Sequence, residues 1–140
     1  MSVKTVGGDK LVLNVETVTA GANLAGLTLV TVAGAAVSSA AGDVFGVLAN
    51  DVKSGDSVSV KTHGFLEVIA TGTVTAGGKV EVLQGTVYAN IDGTKTTTTS
   101  AGVQDVAAGY PVGLALTGSD AYGTVIVAFT DSVRGAQKVS

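Results

Sequence analysis

Hydrophobic and polar residues alternate along short stretches of this chain, and glycine-rich segments separate those stretches at nearly even intervals. The alternation is clearest between residues 42 and 82, in the segments 57–61 (SVSVK) and 79–82 (KVEV). A period of two residues is typical of a β-strand with one buried and one solvent-facing side. Glycine beside Asp, Ser or Thr is typical of tight turns. The pattern therefore predicts a β-meander over 42–82, with Lys79 and Glu81 on its wet side.

Comparable stretches on either side of this segment predict further strands. The first covers residues 11–16, and residues 21–32 (GANLAGLTLVTV) predict a second that is apolar on both sides and therefore covered on both. Residues 85–90 predict a strand that leads into a turn at Asp92 and Gly93. The threonine-rich segment 94–102 fits an edge strand or a surface loop.

Two glycine-led segments echo one another. Gly46–Ala49 (GVLA) and Gly113–Leu116 (GLAL) are each followed by a polar turn and a returning valine strand, as in two β-hairpins. Duplication and independent use of the same hairpin chemistry explain the echo equally well. The Ala- and Ser-rich segment 33–43 favours a loop or a single helical turn, and 103–110 carries only one turn's worth of helical pattern.

Composition bounds the fold that these strands can build. The 140 residues are 46% hydrophobic but only 4% aromatic, with 20 glycines and no tryptophan, so the core volume comes from Val, Ala and Leu, and valine suits a pleated sheet. We predict an all-β fold, a small β-sandwich or β-barrel-like domain built of short hairpins, with at most one short helix. Its parts are an N-terminal arm and first strand (1–20), a β domain (21–130) and a polar C-terminal tail (131–140).

Charge and cysteine content narrow the classes of function. The net charge is −3, and the eight Lys and Arg residues are scattered, whereas a nucleic-acid binder needs them clustered to neutralise phosphates. The absence of cysteine excludes disulfides and thiolate chemistry. The apolar runs are too short to span a bilayer, and the first ten residues lack the apolar core of a secretory signal. We expect neither a nucleic-acid nor a membrane partner.

Residues that could carry catalysis are few. His63 is the only histidine and precedes Gly64 at a predicted strand end, and Arg134 is the only arginine. Four aspartates lie in predicted turns, where they bond to backbone: Asp51, Asp56, Asp92 and Asp120. We therefore expect no enzyme, no cofactor and no metal site. A hydrolase that uses His63 would need a cleft that joins it to two carboxylates.

Six segments follow one another in an order that carries a family resemblance: AGDVFGVL (41–48), SGDSVSV (54–60), GFLEVIA (64–70), TAGGKVEV (75–82), YPVGLAL (110–116) and GTVIVAF (123–129). In this order of glycines and valines the chain resembles the small capsid decoration, or cement, proteins of tailed bacteriophages. The resemblance implies a structural virion protein without catalytic residues. Such proteins bind the outside of an assembled shell, commonly as trimers, and lock neighbouring capsomers against internal pressure.

The resemblance implies two partners, the major capsid protein and further copies of the chain, in a homotrimer or a dimer. The protein would then lie on the outer capsid surface, and in the host cytoplasm during assembly. The leading segment is either a frayed terminus or an arm; as an arm, it would reach the shell or an adjacent copy with Val3, Val6, Leu11 and Leu13. The alternative function is a glycan-binding or tail-associated β module on a particle surface, with an aromatic platform drawn from Tyr88, Tyr110 and Tyr122.

Overall fold

The protein was analysed as a computed structural model, which describes residues 11–38, 44–106 and 111–129, with side chains from residue 15 onwards. Those residues form eight β-strands and no helix, so the all-β prediction is confirmed and no helix that could cross a membrane is present among them. The strands are β1 (Leu11–Thr19), β2 (Leu29–Val30), β3 (Gly46–Leu48), β4 (Ser57–Ile69), β5 (Lys79–Ile91), β6 (Thr94–Asp105), β7 (Pro111–Ala115) and β8 (Thr124–Phe129).

The strands form a single barrel-like sheet that is nearly closed. Neighbouring strands follow the order β2-β3-β4-β8-β7-β5-β6, and all the pairs are antiparallel. β1 pairs with β4 outside this path, and Phe65 of β4 has one partner in β1 (Leu11) and one in β8 (Ala128). β4 therefore lies at the centre of the sheet, with β1 on one side and β3 and β8 on the other.

The predicted meander is wrong beyond β4. β3 and β4 pair as expected, but the β7–β8 hairpin lies between β4 and β5 in the sheet. Alternation along a strand specifies which side is buried and carries no information about which strand lies beside it. The strand that lies beside β4 where β5 was expected is therefore β8.

Alternation within β4 agrees with the prediction. Val60, Leu66 and Val68 are fully buried, whereas Ser57 and Ser59 are exposed. These buried residues of β4 pack in two different cores. Val60 packs in a smaller cluster that contains Leu24 and Leu48. Leu66 and Val68 pack in the main core with Phe129. One long strand thus ties the two cores together.

Glu81 departs from its predicted position on the wet side of β5. Lys79 is exposed as expected, but Glu81 is buried, and its Oε2 accepts a hydrogen bond of 2.7 Å from Nε2 of Gln104. An irregularity of the β5–β7 ladder falls between Val80 and Glu81, where Pro111 lies opposite Glu81. Because such irregularities interrupt the regular alternation of a strand, the local pattern could not predict the burial of this carboxylate.

β5 and β6 form one long hairpin. It contains both predicted segments and resolves the threonine-rich one as an edge strand, β6. Asp92 and Gly93 form its two-residue turn and both have positive φ, 51° and 77°, as a type I′ turn requires. The prediction of short hairpins therefore does not hold for this one. The predicted second strand shortens to Leu29–Val30, whose residues are buried on both sides as expected.

The two glycine-led segments, which are similar in sequence, are also similar in their hydrogen bonds. In the first unit, Val52 exchanges two backbone bonds with Leu24; in the second, Ser119 exchanges two with Val74. The hairpins also share one register, since Leu48 pairs with Val60 and Ala115 pairs with Val127. The matching therefore includes the segment that precedes each hairpin (20–30 and 70–80), which favours duplication of a whole unit.

Candidate functional site

An apolar strip crosses the outer face of the sheet. It consists of Phe65 on β4, Ala128 on β8, and Leu114 and Leu116 on and just after β7. Leu114 and Phe65 are the two cross-strand partners of Ala128, and the backbone N–H of Leu116 donates to Ile126 of β8. The four residues therefore form one contiguous surface, which we call the outer apolar strip.

The strip is exposed although its members are large. Phe65, Leu114 and Leu116 keep 39%, 43% and 42% of their surface accessible, while Ala115 between the two leucines is fully buried in the main core. Single exposed apolar residues are common on protein surfaces, but contiguous groups of them mark interaction surfaces. The strip lies on β4, β8 and β7, which are hydrogen-bonded to neighbours within the barrel, so its shape is set by the fold.

The predicted contact residues lie partly beside this strip. Leu11 is the cross-strand partner of Phe65, and Leu13 falls at an irregularity of the β1–β4 ladder. Val3 and Val6 lie outside the described residues, as does the predicted tail 131–140. The first described residue of the chain is therefore next to the outer apolar strip in the sheet.

A second surface gathers two of the three tyrosines. Tyr88 on β5 and Tyr122 in the turn before β8 are 64% and 58% exposed, and both line an open groove of about 440 Å³. Ile69, Thr86 and Val87 complete its lining. Tyr110 lies outside the described residues. We call this surface the tyrosine groove.

Tyr122 is held in an unfavourable backbone conformation. Its φ is +70°, a left-handed value that costs a side chain with Cβ about 1 to 2 kcal/mol. The equivalent position of the first repeated unit is Gly55, at φ +93°, with open space where a Cβ would be. The Tyr122 backbone N–H donates to Ala70, and a Cβ built on Gly85 would lie 3.5 Å from Cε1 of the tyrosine ring. The backbone of Tyr122 is therefore bonded to the preceding strand end, and its exposed ring lies close to Gly85.

Polar groups surround Tyr88 on the β5–β6 hairpin. Thr97 of β6 is its cross-strand partner, Thr99 is the partner of Thr86, and all of these threonines are exposed. The ammonium of Lys95 lies 4.5 Å from the centre of the Tyr88 ring, within the range of a cation–π contact. Of these threonines, Thr86 lines the groove, and Thr97 and Thr99 lie opposite Tyr88 and Thr86 on the neighbouring strand.

His63 lies within β4, not at a strand end. It is half-buried, and its Nδ1 is 2.9 Å from Oγ1 of Thr62. Within residues 15–38, 44–106 and 111–129, no three His, Asp or Glu side chains are close enough to hold a metal ion together.

Among the four predicted turn aspartates, Asp56 bonds to the backbone of its own turn, since its Oδ2 accepts from the Lys53 N–H. Asp92 sits in the β5–β6 turn, but its Oδ2 accepts from Nζ of Lys53 at 3.1 Å. Asp51 instead joins distant segments, since its Oδ1 accepts from Gly26 and its Oδ2 accepts from Asn90, each at 2.7 Å. The carboxylate thus fastens the hairpin to the first repeated unit.

Sequence reasoning missed Asp105. Its carboxylate accepts from both the backbone N–H and the hydroxyl of Thr75, at 2.7 and 2.8 Å, and so caps the turn before β5. The residue lies at the end of β6, and no local turn motif marked it.

Comparisons of the chain with protein-family models, with curated proteins and with solved structures found no match.

Proposed function

We propose that this chain is a structural virion protein that binds the outer surface of a phage capsid and cements neighbouring capsomers without catalysis. The observation that supports this function best is the outer apolar strip, a preformed surface that is exposed in the described part of the chain. In this assembly the strip joins copies of the chain to one another, and the N-terminal residues reach the shell. The major capsid protein and further copies are its partners, with a homotrimer as the expected closed form.

The repeated unit explains why the strip needs a partner. In the first unit, adjacent residues of β3 are buried on both sides of the strand, because Val47 faces the main core and Leu48 faces the smaller one. In the second unit, Ala115 faces the main core, but Leu114, the counterpart of Val47, is exposed. The strand is thus covered on both sides in the first unit and on one side only in the second unit. A contact from outside the chain would complete the second unit.

Self-association is a physically economical way to supply that contact. In a closed symmetric oligomer, each copy presents the same surface patch, and covering it removes the same apolar area from every subunit. At roughly 25 cal/mol per Å² of apolar surface, each large side chain that becomes fully covered contributes on the order of 1 kcal/mol. Leu11, the first residue of β1, lies beside Phe65 in the sheet, so β1 begins next to this contact.

Light scattering on the purified chain at several concentrations tests the strip. The wild-type chain is expected to form a closed oligomer, and the double variant Phe65→Ser with Leu114→Ser is expected to be monomeric. Val32→Ser is the matched control, because Val32 is 70% exposed and lies outside the strip. An unchanged oligomer in the double variant, or loss of the oligomer in the control, contradicts the role of the strip.

Co-sedimentation with purified expanded phage shells tests the wider function. We expect the wild-type chain to pellet with shells at a saturating ratio, and a variant that lacks residues 1–10 to lose shell binding while it keeps its oligomeric mass. Shell binding that survives this deletion removes the arm from the proposal. If the wild-type chain fails to bind shells of the phage that encodes it, the proposed function is wrong.

A further inference from the structure

The tyrosine groove has features that the fold does not require. The turn that carries Tyr122 occurs twice, and in its first occurrence glycine occupies the same left-handed position. The backbone hydrogen bond made at this position forms with either residue, because the N–H of Gly55 donates to Ala20 and the N–H of Tyr122 donates to Ala70. A tyrosine at a position that favours glycine therefore indicates a use for its side chain, since strained residues persist where the surrounding structure or function demands them.

The side chains around the groove define the chemistry of what it could hold. Tyr88 and Tyr122 offer flat aromatic surface, Ile69 and Val87 offer aliphatic surface, and Thr86 offers a hydroxyl that both donates and accepts hydrogen bonds. Its volume of about 440 Å³ lies within the roughly 300–1,000 Å³ of small-molecule sites. A ligand for this groove must combine an apolar face with a polar edge.

We propose that the tyrosine groove is a saccharide-binding site. A pyranose ring has C–H groups on its faces, which pack on an aromatic ring, and hydroxyl groups around its edge, which bond to threonine hydroxyls. Thr97 and Thr99 add hydroxyl groups on β6 beside Tyr88 and Thr86, so a chain of several sugar units has polar partners beyond the groove itself. This inference is independent of capsid binding, which uses a different surface.

The groove suits a saccharide better than a second protein copy. Thr86 gives the groove a hydroxyl group and Lys95 lies over the Tyr88 ring, whereas the cores of protein interfaces are depleted of lysine and other charged residues and are largely apolar. The outer apolar strip provides a contact of that second kind. Lys95 also allows an anionic sugar, because its ammonium could pair with a carboxylate at the edge of a sugar ring.

NMR titration of the full-length protein with four defined hexasaccharides tests the site: those of glucose, N-acetylglucosamine, mannose and galacturonic acid. We expect at least one of them to shift the ring signals of Tyr88 and Tyr122 saturably, with a Kd on the order of 1 mM, as suits a shallow site. No saturable shift with any of the four up to about 10 mM overturns the proposal. Ring shifts that follow protein concentration without sugar would identify an interface between copies and also overturn it.

Tyr122→Gly separates binding from folding. Glycine fits the left-handed backbone, so the melting temperature is expected to stay level or rise while the affinity falls about tenfold or more. Tyr88→Thr should weaken binding similarly, and Val32→Ser, which removes an exposed apolar side chain outside both the groove and the outer apolar strip, should leave binding unchanged. A Tyr122→Gly variant that binds the sugar as well as wild type refutes the assignment. Since these assays use no shells, their outcome is separate from that of the capsid proposal.

Discussion

Removal of one buried hydroxyl group in the first repeated unit is expected to stabilise the protein, which is unusual for a substitution in the core. Thr28 is fully buried, and its Oγ1 has no hydrogen-bond partner in the described part of the chain. Burying a hydroxyl without a partner costs about 1–3 kcal/mol. Thr28→Val replaces that hydroxyl by a methyl group of similar size. We therefore expect the substitution to stabilise the protein by about 1–2 kcal/mol and to raise Tm by about 3–8 °C.

A second buried threonine serves as the matched control. Thr98 is only 5% exposed, but its Oγ1 lies 2.9 Å from Oγ of Ser100, which is itself fully buried. Thr98→Val removes this bond and leaves the serine hydroxyl buried alone, so the same chemical change is expected to destabilise the protein by about 1–3 kcal/mol. The two variants should therefore move stability in opposite directions.

Urea unfolding followed by far-ultraviolet circular dichroism measures both changes. The comparison should be made at one protein concentration, because association with other copies also stabilises the folded state. An unchanged denaturant slope with a higher midpoint for Thr28→Val supports the reasoning. If Thr28→Val lowers the midpoint as much as Thr98→Val does, the Thr28 hydroxyl has a stabilising partner in solution and the argument fails.

Three further predictions concern turns and exposed charges. Gly34→Ala should destabilise far more than Gly55→Ala in urea unfolding, because both glycines have positive φ but only at Gly34 would a Cβ collide with backbone. Asp51→Ala should cost about 1–3 kcal/mol in the same assay, and accelerate amide exchange in the β5–β6 hairpin, because two backbone N–H groups lose their acceptor. The hydrogen bond and charge of Asp92 raise the pKa of Lys53 above 10.5. Any stability from this exposed pair is therefore present below pH 10.5 and lost as the pH rises through the folded pKa. NMR titration of Lys53 should show the raised pKa, and the pKa should return towards 10.5 in Asp92→Asn.

The fold class could be predicted from the sequence because its signals are local. Alternation over 57–61 places Val60 inside and the serines outside, and the Asp92–Gly93 pair defines a hairpin turn, whatever lies further along the chain. Strand order depends on contacts between distant segments. The insertion of the β7–β8 hairpin between β4 and β5 therefore left no local signal, and neither did the burial of Glu81 opposite Pro111.

The two candidate surfaces illustrate the same limit. Phe65 and Leu114 are both cross-strand partners of Ala128, and Tyr88 and Tyr122 line one groove, only because the strand order brings distant stretches of the chain together. One signal for the strip was present in the sequence. The segment around β7 is apolar on both sides of the strand, which predicts cover on both, and the residues that the structure describes cover one side only.

The repeated unit connects both surfaces to a single physical cause. The chain contains one hydrogen-bonded arrangement twice, and backbone bonds form it in each copy. In the first copy, Val47 packs in the main core, and Gly55 adopts the left-handed conformation of the turn without strain. In the second copy, Leu114 and Tyr122 occupy the matching positions, and both are exposed to solvent. Neither exposed residue is needed to hold its unit together. Variants at these two positions should therefore lose association or sugar binding before they lose the fold, whereas variants at Val47 should lose the fold first.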